Sequence, residues 1–262
     1  MQRPRAGLAQ DRKPSVDGGR GLLDRDVSAW PGEARRNPPR SSSTWTIRAP
    51  LAEWLRTQSA ELHETKGRYR LLDVGCGVKP YYPWFEPFVS EYVGVDVGGN
   101  PAADLEGAVE AIPVEDASFD VVLCTQVLEH CDDPAQAVRE LRRVLRPGGH
   151  ALCSTHGVQV YHPSPQDLWR WTHEGLERLF RTNAEWAAVS VRPSAGTTAT
   201  IAHLLSIYVD LASRRAHVAP LGRALVSGLN AAGSAIDARF ARLREPGPGT
   251  LHANYHVTAV AP

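Results

Sequence analysis

No run of about 18 apolar residues occurs in this 262-residue chain, so no segment is expected to cross a bilayer as a helix. Nor does an apolar core follow the basic residues at the N-terminus, and no secretory leader is expected. The four cysteines, Cys76, Cys124, Cys131 and Cys153, form no CxxC pair and no zinc spacing. That argues against a disulfide framework and against a metal site, and it fits a reducing, cytoplasmic setting. Cys76, Cys124 and Cys153 stand in apolar strand contexts, where a thiol acts as a small hydrophobe. Charge of one sign is also missing. Basic and acidic side chains both number 29, so net charge gives no pull toward nucleic acid.

What is present reads as one α/β domain with additions. Residues 1–42 are rich in Arg, Gly, Pro, Asp and Ser with no sustained period, which predicts a disordered tail. Within it, Trp30 is the one residue suited to docking. The folded domain is expected over 43–262. Trp45, Leu51, Trp54, Leu55 and Leu62 mark a helix over 44–66, which Pro50 divides into an entry and a main part and Gly67 ends. The N-terminal part of this helix is expected to lie over a ligand. Strands are predicted at 71–74, 92–96, 104–109 (weak), 119–124, 150–154, 187–191 and 252–260. Asp133 with Pro134 opens one helix, and Pro147-Gly148-Gly149 is expected to stop it. Thr172 caps another over 174–180. Alternation of this kind implies a parallel, doubly wound sheet.

The stretch LLDVGCG, residues 71–77, organises the chain. A buried strand runs into Gly75 and Gly77, whose missing Cβ atoms let a ligand approach the backbone. The next strand ends in Asp96. A dinucleotide fingerprint needs a third glycine, and Val78, Lys79 and Pro80 follow instead. Asp73, just before the turn, repels a pyrophosphate and suits a cationic nucleoside ligand such as S-adenosylmethionine, which carries an ammonium, a sulfonium and no phosphate. A nicotinamide oxidoreductase is disfavoured on the same ground.

Four motifs in order, LLDVGCG, GVD, IPVEDASFDVVLCTQVLEH and ELRRVLRPGGHALCST, resemble those of the class I S-adenosylmethionine-dependent methyltransferases, in particular the methyltransferase type 11 branch. The resemblance spans residues 70–180. It implies a Rossmann-like fold: a seven-stranded, mostly parallel sheet with helices on both faces, an antiparallel last strand and a helical insert before it. It also implies S-adenosylmethionine as cofactor. Asp73 and the backbone of Gly75, Cys76 and Gly77 would face its methionine part. Asp96, followed by Val97, would take both ribose hydroxyls, and Gln126 would line the methionine side. The acid that family members often place near the adenine is absent, since Ala108 fills that slot. The backbone of Val109, or apolar packing, would serve there. The later HPSPQDLWRWTHEGLERLF is similar to a bacterial subgroup associated with cell-surface glycan genes.

On the acceptor side, His130 and His156 are candidates for a general base. The alternative for His130 is a hydrogen-bonding role in its loop. His162, Asp167, Arg170 and Trp171 are candidate substrate contacts, with Trp169 and Trp171 as a stacking wall for a sugar. The alternative there is that both tryptophans anchor the loop. The reading is O-methylation of a hydroxylated small molecule or glycan-type acceptor. The second hypothesis is a catalytically inactive scaffold of the same fold. The insert, residues 198–244, carries one apolar stripe at Ile201, Leu204, Leu205, Tyr208 and Leu211 and another at Leu221, Leu225, Leu229, Ile236 and Phe240. Core packing is the expected use of both, and a lid over the site is the expected role of the insert. Arg214, Arg215 and Arg223 leave room for peripheral membrane contact, and Asp210 and the small residues weigh against it.

Overall fold

Residues 69–74, YRLLDV, are buried on both faces, the mark of a strand inside a parallel sheet covered on both sides. In the computed structural model, which describes residues 30–163 and 165–262, they form the central strand β1 (Tyr69–Val74). The other strands are β2 (Val89–Asp96), β3 (Leu105–Glu106), β4 (Phe119–Thr125), β5 (Leu145–His156), β6 (Ala188–Pro193) and β7 (Asn254–Val260). The helices are α1 (Glu33–Arg36), α2 (Trp45–Lys66), α3 (Tyr82–Phe85), α4 (Pro134–Arg143), α5 (His173–Asn183), α6 (Thr197–Arg215) and α7 (Ala219–Arg239).

The sheet order is β3-β2-β1-β4-β5-β7-β6. Strand β1 pairs parallel with β2 on one side and β4 on the other, and β7 runs antiparallel between β5 and β6. Chain order reverses direction between β1 and β4. A crevice therefore opens beyond their C-terminal ends, where open α/β sheets bind ligands.

Alternation along the strands sends side chains into two cores. Leu72, Val122 and Cys124 meet Ala137, Leu141, Leu176 and Phe180 of α4 and α5. Leu71, Val121, Leu123 and Leu152 meet Leu51, Leu55 and Leu62 of α2 and Phe85 of α3. Asp133 caps α4, its Oδ1 accepting from the Gln136 amide at 3.0 Å.

Several elements depart from expectation. The weak third strand shrinks to two residues, because residues 107–109 turn away toward the crevice. A Cβ on Gly107 would lie 2.5 Å from Pro113 Cδ, so that turn is tight. Helix α4 ends at Arg143, before Pro147-Gly148-Gly149. Those three residues lie within β5 as a bulge, where the register jumps from Phe119 opposite Leu145 to Val121 opposite His150.

The expected tail is folded from Trp30 onward, while residues 1–29 lie outside the described residues. Trp30 stacks on Tyr82 at 4.6 Å and donates from Nε1 to the Lys79 carbonyl at 2.9 Å. The Arg36 guanidinium is buried and donates to the carbonyls of Trp30 and Pro80. One aromatic and one buried arginine hold a segment whose composition alone is that of a coil.

The insert departs most. It is an antiparallel pair, α6 and α7, packed through small residues. Gly222 lies against Ser213, and Gly233 against Ala199 and Ala202. Two of its buried polar side chains, Asp237 and Asn230, are satisfied across the pair and by the N-terminal segment. Asp237 accepts from the amides of Thr198 and Ala199, and Asn230 donates to the carbonyls of Arg40 and Ser42. The apolar stripes expected in the core are instead largely exposed, Leu205, Tyr208, Leu221 and Leu225 among them. Close backbone approach across small residues leaves no room inside for the large ones.

Candidate active site

A cavity of about 690 Å³ fills the crevice. Its floor is the glycine turn, where Gly75 and Gly77 adopt φ of +68° and +53°. A Cβ on Gly75 would stand 2.3 Å from Val127 Cγ2, so both the backbone conformation and the space require glycine. Asp96, at the end of β2, is latched to this turn. Its Oδ2 accepts from the Gly77 amide (2.9 Å) and the Asn100 side chain (2.7 Å), and its Oδ1 from the Val97 amide (2.9 Å). A carboxylate has about four acceptor positions. The latch leaves the remaining one on Oδ1, so a bidentate grip on a diol requires Asn100 to release Oδ2.

Val97, Ala108, Val109 and Glu110 form the adjoining wall. Glu110 Oε1 accepts from the Asp132 amide at 2.8 Å and ties that wall to the loop after β4. Gln126 adopts φ of +58° directly after β4, and its Nε2 donates to Ser154 Oγ and Asn254 Oδ1 at 2.9 and 3.0 Å. Its side chain is thereby held in one position on the cavity wall.

Asp73 and Cys76 are not on that wall. The Asp73 carboxyl is buried behind the turn, accepts the Tyr92 hydroxyl at 2.6 Å and is pushed up by burial to about 7. The Cys76 side chain packs against Gly94, and burial raises its thiol to about 12. Asp73 thus supports the turn from below and does not reach into the cavity.

The N-terminal segment and α2 form the roof, with Arg35, Ser43, Thr44, Ile47, Arg48 and Leu51. Arg35 Nη1 lies 3.9 Å from where a Cβ of Gly77 would be. Neither Arg35 nor Arg48 has a carboxylate partner among the described residues, and burial lowers the Arg48 pKa. Helix α6 closes one side with His203 and Ile207. His203 Nδ1 donates to the Ser43 carbonyl at 2.7 Å, and its Nε2 accepts from Gln159 Nε2 at 3.0 Å.

Three imidazoles, His130, His156 and His162, line the far end, with ring centroids 5.8 to 6.5 Å apart. Among the described residues no group of histidine, cysteine and acidic side chains is arranged to hold a metal ion. The Nδ1–H of His130 donates to the Gln166 carbonyl. That bond sets the tautomer and leaves the Nε2 lone pair free. His156 is placed differently. Its Nδ1 is buried without a partner and its Nε2 faces Glu129 Oε1 at 3.4 Å. Burial, with the nearby Arg170, His130 and His162, depresses its pKa to about 3, which makes it a poor proton acceptor. Glu129, fully buried, accepts from Thr155 Oγ1 at 2.8 Å and is raised by burial to about 7.

The loop over residues 157–172 sorts the acceptor candidates, and only His162 lines the cavity. Asp167 and Arg170 form a two-pronged pair with each other, and Arg170 also donates to the Val160 and Trp169 carbonyls. The arginine holds the Asp167 carboxyl down at about 2. Trp169 donates to the Cys131 carbonyl at 2.8 Å and stacks on Trp171 at 5.7 Å. Trp171 lines a separate open cavity of about 1250 Å³, on the side of β6 and residues 244–252. These four residues hold the loop together and do not line the cavity at the glycine turn.

Arg35, Arg48, Asn100, Glu129 and His203 escaped the sequence reading. Glu129 stands inside the LEH motif, a local signal. Arg35 sits in coil-like sequence, Asn100 in a turn and His203 inside a helix, and none of those settings signals a cavity.

Burial at the site also shapes the acid response. Asp73 and Glu129 titrate near 7 when folded, against 3.8 and 4.5 when free. Their contribution to stability is full below about pH 4 and is lost as pH rises through 7. His156 and His256 are both depressed to about 3 from 6.5, so theirs is full above 6.5 and is lost as pH falls toward 3. The two pairs offset each other between about pH 4.5 and 6.5. Below that the histidines are no longer opposed, and they are expected to lower the unfolding free energy by about 2.7 kcal/mol per pH unit, with Asp167, held at about 2, adding to the fall. Urea titrations at stepped pH measure this slope. His256→Gln should lower it by about 1.4 kcal/mol per pH unit, and an unchanged slope would show that His256 is not one of the groups responsible.

Residues 72–153 match the family model described as a methyltransferase domain. An uncharacterized methyltransferase of Bacillus subtilis, YcgJ, is 32% identical over 119 residues, covering 40% of this chain and 45% of that protein. An uncharacterized 37.1 kDa protein in a transposon of Streptomyces fradiae is 52% identical over 97 residues, 31% of this chain and 28% of that one. The chain thus spans less than half the length of these curated relatives. Among solved structures, that of the [4+2]-cyclase SpnF has a TM-score of 0.50 at 22% identity, covering 80% of this chain and 81% of that one. At that identity the likeness concerns the fold alone.

Proposed function

We propose that the chain is a class I S-adenosylmethionine-dependent methyltransferase, a reading supported by the match of residues 72–153 to the methyltransferase-domain model, and that it methylates a hydroxyl group of a small molecule, with His130 as the base. The observation that carries this reading is the His130–Gln166 hydrogen bond, which leaves Nε2 as an acceptor on a residue of the cavity wall. The residues present fit the cofactor. Asp96 offers Oδ1 to a ribose hydroxyl, Val97 and Val109 offer an apolar slot for adenine, and Arg35 and Arg48, with no carboxylate partner among the described residues, suit an amino-acid carboxylate. When bound, S-adenosylmethionine supplies a methyl group already activated by its sulfonium. The protein's work is alignment, exclusion of water and removal of one proton.

The glycine turn and the Asp96 latch fix one end of the cavity, and α2 with the N-terminal segment shields it from above. His130 Nε2 takes the acceptor's proton, and the Gln166 carbonyl stabilises the charged imidazole through Nδ1–H. The raised Glu129 carboxyl and the depressed His156 form a low-charge wall beside it. Loss of Trp171, Asp167 and Arg170 from the cavity removes the stacking argument for a sugar, so a glycan becomes one arm of the test. A screen with methyl-labelled cofactor against phenols, hydroxy acids, glycosides, amines, peptides and RNA is expected to label a hydroxyl compound. Label confined to peptides or RNA would overturn the acceptor class. Cofactor binding with no transfer to any class would favour the inactive scaffold.

A further inference from the structure

Large apolar side chains cover the outer face of the α6–α7 pair: Leu205 is 51% exposed, Tyr208 62%, Leu221 60% and Leu225 53%. Ile201, Leu211, Val218, Ile236 and Phe240 extend the same exposure along both helices. Contiguous apolar faces of this kind mark an interaction surface. The reason they face outward lies in the sequence. The inner face is built of Ala199, Ala202, Ser206, Ser213, Gly222 and Gly233, so the helices meet backbone to backbone and the bulky residues are left outside.

Charge identifies the occupant. Between residues 197 and 244 the basic side chains are Arg214, Arg215, Arg223, Arg239, Arg242 and Arg244, and the only acids are Asp210 and Asp237. Asp210 is paired with Arg214, and Asp237 is buried against the amides that start α6. No free carboxylate therefore answers the other arginines within the pair. Arg215 follows Leu211 by four residues and Arg239 follows Ile236 by three, so each stripe ends in a cation. A second copy laid on this face would set arginine against arginine. An anionic lipid surface would accept the leucines among its acyl chains and the guanidinia at its headgroups.

We infer that the α6–α7 face docks the protein on an anionic membrane surface. Helix α6 also carries His203 and Ile207 on the cavity wall, so docking would set that wall close to the lipid. The inference does not depend on the proposed reaction.

The test is co-sedimentation of the full chain with vesicles of phosphatidylcholine alone and with about one-third phosphatidylglycerol, at low and high salt. Binding is expected to the anionic vesicles only and to weaken at high salt. The double variant Leu205→Glu, Leu225→Glu should lose it by tenfold or more, and Arg215→Gln with Arg239→Gln should weaken it by roughly tenfold. All four positions are exposed, and an unchanged circular dichroism spectrum with unchanged cofactor affinity would show that the variants remain folded. Equal binding to both vesicle types, or binding unaffected by the leucine variant, would overturn the inference. So would a dimer in light scattering that Leu205→Glu converts to monomer, since the occupant would then be a second copy.

Discussion

Replacing Asp96 with alanine is expected to weaken S-adenosylhomocysteine and S-adenosylmethionine binding by about 150-fold, or about 3 kcal/mol. The loss has two sources. The ribose loses a charged acceptor, and such hydrogen bonds contribute roughly 1.5 to 3 kcal/mol each. The Gly77 amide, the Val97 amide and the Asn100 side chain also lose the group that holds them. The glycine turn then relaxes before any ligand arrives, and ordering it again costs affinity. Asp96→Asn keeps the shape and one acceptor oxygen, so it should lie between wild type and alanine. Calorimetric titration measures both affinities, with urea unfolding as a control on the fold. An alanine variant within about threefold of wild type would remove Asp96 from the cofactor site.

The second large effect is expected at His130. His130→Ala should lower kcat by about 10² to 10⁴, the usual worth of a positioned general base, with cofactor affinity unchanged. A structural role gives a different pattern. The imidazole also holds the Gln166 carbonyl, and Gln166 Nε2 returns a bond to the His130 carbonyl at 2.6 Å. If that contact were the whole role, His130→Asn or His130→Gln, which can donate to the same carbonyl, would restore turnover. With a base at this position neither does. Full turnover by His130→Ala on an identified hydroxyl acceptor would eliminate the base.

The neighbouring His156 shows how burial divides residues of one type. By sequence it stood second to His130 as a base. In the fold its Nδ1 is sealed and its Nε2 faces a carboxyl, and its pKa near 3 leaves little basicity at neutral pH. Burial first, and then the positive charges around it, set His156 apart from its neighbour at the same edge of the sheet.

The sequence by itself determined the sheet and the glycine turn. Runs such as LLDV and FDVVLC are apolar on both faces and have room only between two layers, and Gly75 and Gly77 admit the left-handed backbone that the turn needs. These are local properties, set by a residue and its near neighbours. Asp96 at the end of its strand was legible for the same reason, whereas the Asn100 latch that occupies one of its oxygens was not. Only the tertiary structure decided which polar side chains meet the cavity. Asp167 and Arg170 satisfied each other, Trp171 turned to the opposite side of its loop, and Arg35 arrived from a segment with the composition of a tail. It also decided that the stripes of α6 and α7 face outward. A helical period says that a helix has two faces, and the burial of one rests on how closely its partner can approach. Here glycine, alanine and serine let the backbones meet, and the leucines were left outside.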